Sequence, residues 1–65
     1  GPTALQVVEA DEERQEVVVA GLELKLAEDW GHADLLRRHR AARDELQALL
    51  ARWEQLLEAS ANPAG

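Results

Sequence analysis

Cysteine is absent from the 65 residues, so neither a disulfide framework nor a thiolate metal site can reinforce the fold. Phenylalanine, tyrosine and methionine are absent too, leaving Trp30 and Trp53 as the only aromatics. The core must therefore be built from Leu, Val and Ala. Proline occurs only at positions 2 and 63, so nothing between them enforces a helix break. No apolar run approaches the ~20 residues of a membrane span, and no charged–apolar–small leader pattern is present. Gly-rich phosphate-binding loops, HExxH spacing and Ser/His/Asp sets are also missing. These gaps predict no catalytic residue, no cofactor, no small-molecule substrate and no membrane partner, in a cytoplasmic protein.

What is present is a strong helical period. Leu35, His39, Ala42, Leu46, Leu49, Trp53 and Leu56 follow alternating steps of four and three. An average spacing of 3.5 residues keeps one apolar seam on one side of a helix and calls for a partner helix. Helix formers dominate residues 33–59, Asp34 lies in the first turn beside the positive end of the helix dipole, and Asn62-Pro63 supplies a stop. Leu36, Leu50 and Leu57 widen the stripe.

The first half carries the same frame in Leu5, Val8, Glu12, Gln15, Val19, Leu22 and Leu26, apolar at both ends and polar in the middle. Trp30 and Gly31 mark a connection, Gly31 being suited to the left-handed residue beyond a helix end. A short connection between two helical seams implies an antiparallel hairpin. The predicted fold is all-α: a two-helix coiled-coil hairpin with helix one at about 4–28, a connection at 29–32 and helix two at about 33–60. Folding about the connection sets Leu26 near Leu35, Leu22 near His39, Val19 near Ala42, Val8 near Trp53 and Leu5 near Leu56. It also sets Glu16 near Arg43 as a flanking pair. Gly1-Pro2 reads as the scar of a cut purification tag, and residues 62–65 as a disordered tail.

A rival fold competes over residues 5–26. Val17, Val18 and Val19 are β-branched, and Leu22-Glu-Leu-Lys-Leu26 alternates strictly, so a β-hairpin packed on one long C-terminal helix is the alternative.

Few residues suggest chemistry. His32 and His39 lack the three or four converging ligands of a metal site, so no metal is expected, and His39 reads as a polar interruption of the seam with its ring edge in solvent. Carboxylates are abundant, but general acid–base work needs a pocket that shifts their pKa values, and two helices offer no such enclosure.

Charge is unevenly spread. Residues 1–31 hold eight carboxylates against Arg14 and Lys25, whereas residues 32–65 are balanced. The net charge of −6 argues against general nucleic-acid binding, which is driven by phosphate neutralisation. Arg37, Arg38, Arg40 and Arg43 nevertheless crowd beside the connection, where guanidinium forks could meet the phosphates of ribosomal RNA or DNA. The competing expectation is a solvated face neutralised by Glu16, Glu23 and Glu28 of the neighbouring helix. Trp30 could stack on a base there, but is expected to cap the open end of the core instead. Val17 and Leu24 lie one heptad apart on the side away from the seam, with Ala20 and Gly21 between them, and Leu46 and Leu49 face the polar Glu12 and Gln15. With Leu50, this surplus apolar surface predicts a protein partner: a second copy or the body of a longer protein.

Residues 19–59 resemble the C-terminal domain of ABC-F family ATPases. The match lies in Leu49, Leu50, Trp53, Leu56 and Leu57, an L-x-x-x-W-x-x-L pattern, and in Leu22-Glu-Leu-Lys-Leu-Ala-Glu-Asp before the break. The resemblance implies an antiparallel coiled coil attached to an ATPase that works on the translating ribosome, in some members tied to DNA. ATP hydrolysis would then reside elsewhere in the parent, because no Walker, signature or switch motif occurs here. The Val-rich, Gly-containing first segment and the net acidity depart from the family pattern. The other expectation is a homo-oligomerisation or docking module with no nucleic-acid role.

Overall fold

The computed structural model describes residues 1–61, and the predicted tail at 62–65 lies outside them. Two helices, α1 (Ala4–Glu28) and α2 (Ala33–Ala61), pack side by side as an antiparallel hairpin. The radius of gyration is 15.2 Å and the extents are 51 × 22 × 13 Å. A globular chain of this length would have a radius near 11 Å, so the shape is a rod.

Local chemistry starts and stops each helix. Thr3 is extended; its hydroxyl accepts from the Gln6 N–H at 3.1 Å while the Gln6 amide oxygen accepts from the Thr3 N–H at 2.9 Å. This capping box satisfies two donors that a helix start leaves free. At the far end the Asp29 N–H still reaches the Lys25 carbonyl at 3.0 Å. Gly31 then turns the chain with φ +94°, a conformation that costs a Cβ-bearing residue energy. His32 opens α2: its Nδ1 accepts from the Leu35 N–H at 3.2 Å, and its carbonyl accepts from the Leu36 N–H at 3.0 Å. Its ring stands in for the usual Ser, Thr or Asp cap.

Among the described residues there is no strand, and α1 runs unbroken through Val17, Val18 and Val19. The β-hairpin alternative is therefore excluded. Packing decided against local propensity: as a helix, the segment turns Val8, Val19 and Leu26 to one side, and all three are buried against α2.

The core is thin. Val8, Val19, Leu26 and Ala42 are buried, and no side chain is fully shielded among the described residues. Leu5, Leu22, Leu35, Leu46, Leu49, Trp53 and Leu56 are half-buried along the same seam, as are Glu12, Gln15 and His39. Leu36, Leu50 and Leu57 stay exposed at its margin.

Candidate functional site

The interior of the seam meets its polar residues with specific bonds. Gln15 Nε2 donates to the Ala42 carbonyl at 2.9 Å, part-buried between the helices. His39 Nε2 lies 3.1 Å from Glu23 Oε2, and the His39 side chain is only 19% exposed, tucked in more than the solvent-edge position expected of it. Trp53 Nε1 points at Glu9 Oε2 over 3.4 Å. No buried side-chain nitrogen or oxygen among the described residues lacks a partner. Glu12 is held above its ordinary value of 4.5, first by partial burial and then by hydrogen bonding and repulsion from Glu16, with Glu9 and Glu13 adding to it.

Two surfaces remain. The first is an open groove of about 610 Å³ running between the helices on one face of the rod. Val18, Gly21 and Leu22 form its α1 wall and Ala41 and Ala42 its α2 wall. Small residues at 21, 41 and 42 make it a depression. Lys25 and Arg38 stand at the end nearer the turn, with Gln15 and Glu45 at the other. Val17 borders it, and Val17 and Leu24 are each 72% exposed on the side of α1 away from the seam. Leu50 belongs to the opposite face, where it lines a smaller hollow with Trp53, Glu9, Glu12 and Glu13. The partner surface expected from Val17, Leu24 and Leu50 is thus not one patch: Val17 borders the groove, and Leu50 lies in a separate hollow.

The second surface is the tip. Trp30 is 84% exposed and does not cap the core as expected. Leu26, buried, and Leu35, half-buried, close that end of the seam without the ring. The arginines are not neutralised across the hairpin by Glu16, Glu23 and Glu28 as expected. Asp34, on their own helix, takes Arg38 at 2.9 Å and Arg37 at 3.6 Å. These i,i+3 and i,i+4 partners come to hand without any tertiary adjustment. Glu23 is engaged by His39 instead, and no ion pair joins Glu16 to Arg43 among the described residues. Helical steps of 100° spread the four arginines around α2, with Arg38 facing the groove.

Sequence reading missed the groove, the His32 cap and the Gln15–Ala42 bond. A Gln in the polar middle of the first seam was the available signal for the last of these. Among the described residues, no three His, Cys, Asp or Glu side chains gather where a metal could bind, and no helix is long and apolar enough to cross a membrane. No family model matches this chain, and no curated protein or solved structure does either.

Proposed function

We propose that the hairpin is a non-catalytic interaction module that docks onto protein through the groove and its apolar border. The observation carrying this reading is the groove lined by exposed Val17 and Val18 and half-buried Gly21 and Leu22, opposite Ala41 and Ala42. Two helices with four buried residues gain by covering such a groove, since a Leu or Val contributes roughly 1.5–3 kcal/mol on full burial. The leucine and tryptophan pattern of α2 supports a setting as the accessory domain of an ABC-F-like ATPase in the cytoplasm, with the ATP site in the rest of such a parent. In-cell cross-linking from a photoactivatable residue at Val18 tests the docking: adducts at Val18, and none from an exposed control at Glu54, are expected. Equal yields at both positions would refute it.

A second reading assigns the tip to ribosomal RNA or DNA. It rests on Trp30, an exposed aromatic at the turn able to stack on a base, and on Arg40 and Arg43 further along α2, which have no carboxylate partner among the described residues. Asp34 already pairs with Arg37 and Arg38, and Glu28 and Asp29 add negative charge beside the turn, which leaves the tip only weakly basic. The docking reading is therefore the better supported.

A further inference from the structure

We infer that the occupant of the groove is a second copy of this chain, lying antiparallel across it to form a four-helix bundle. The inference rests on reading the groove as a protein-docking surface and adds the identity of the partner. Three observations carry it.

The charges of the groove are self-complementary. Lys25 and Arg38 stand at one end, Glu45 at the other, and Val18, Gly21, Leu22, Ala41 and Ala42 between them. A two-fold axis through the middle, perpendicular to the helices, brings the cations of each protomer over Glu45 of the other. The same two attractions then form twice, as a closed two-fold interface requires. A parallel copy would set cation on cation and carboxylate on carboxylate.

The amount of uncovered surface suits such a pairing. The chain exposes 5043 Å², whereas a compact protein of its 7.2 kDa exposes about 4100 Å². The excess, roughly 900 Å², is near the ~800 Å² that each partner buries in a standard interface.

Gly21 supplies the third observation. A Cβ placed there would meet nothing within 4 Å, so no neighbour inside the hairpin requires glycine, yet glycine in a helix interior costs about 1 kcal/mol relative to alanine. With Ala41 and Ala42 opposite, it leaves room for another helix at the short end of the 8–10 Å packing range.

Sedimentation velocity from micromolar to millimolar concentration is the test, with circular dichroism to confirm that each variant stays helical. The intact chain should move from one to two chain masses. Gly21→Leu, filling the groove, and the Lys25→Glu/Arg38→Glu pair should each weaken association at least about tenfold, or 1.4 kcal/mol. Adding Glu45→Lys to that pair should restore it. Arg38 and Glu45 lie seven residues, about 10 Å, apart along α2. At 0.15 M salt screening acts over about 8 Å, so the rescue reports mainly contacts between copies. Association that ignores the charge reversals overturns the antiparallel arrangement. A chain that stays at one mass while Val18 cross-links to a different protein overturns the second copy and leaves the docking reading standing. One mass with no Val18 adduct overturns both.

Discussion

Gln15 of α1 donates its side-chain amide to the main-chain carbonyl of Ala42 in α2, 2.9 Å away and part-buried. Ala42 is itself buried, and its small side chain lets α1 approach closely enough for the amide to reach the backbone. The bond ties the two helices together where the first seam is polar.

Gln15→Ala should therefore destabilise the hairpin by about 0.5–1.5 kcal/mol, the usual net value of one such bond. Gln15→Leu should be neutral or stabilising, because the Ala42 carbonyl keeps its own helical partner and the seam gains apolar surface. Urea titrations followed by helical circular dichroism compare the two variants.

His32→Ala should cost about 1 kcal/mol, by leaving the Leu35 N–H without its side-chain acceptor. His32→Asp should stabilise, since a carboxylate both caps and complements the helix dipole. Thermal melts at neutral pH separate these outcomes.

Glu12 adds a pH dependence. Its folded-state carboxyl is held above 4.5 by partial burial and by the neighbouring Glu16, Glu9 and Glu13. A raised pKa means the folded state holds the proton more tightly than the unfolded chain. The resulting stabilisation is fully present below 4.5 and is lost as pH rises through the folded-state value. Glu12→Gln should accordingly melt higher than wild type at neutral pH, with the difference shrinking in acid.

For the tip, Trp30→Ala should leave stability within about 0.5 kcal/mol of wild type, the ring being 84% exposed. If the tip meets nucleic acid, Arg37→Glu/Arg38→Glu/Arg40→Glu should abolish anisotropy changes with labelled RNA and DNA, and wild-type binding should fall steeply with salt. Binding that survives the triple change, or ignores salt, removes the tip from consideration.

Much of the fold was readable in one dimension. The frame through Leu35, Ala42, Leu49 and Leu56 is a local repeat, and Gly31 marks the reversal by a backbone requirement that few other residues meet. The Val17, Val18 and Val19 run was ambiguous because β-branching and the heptad frame disagree there, and only contact with α2 settles it. Trp30 was misplaced because an aromatic near the end of a helix is assumed to need cover, whereas Leu26 and Leu35 close that end of the seam without it. The pairing of Arg37 and Arg38 with Asp34 lay within reach of i,i+4 spacing, and the cross-hairpin alternative obscured it.

By itself, then, the order of residues determined the second helix, its seam and the place of the turn, because periodicity and a left-handed glycine act within a few positions. The groove, its opposed charges and the contact of Gln15 with Ala42 were decided only by tertiary structure. Lys25 and Arg38 are 13 positions apart and Gln15 and Ala42 are 27, and no local rule states how two helices lean on each other sideways.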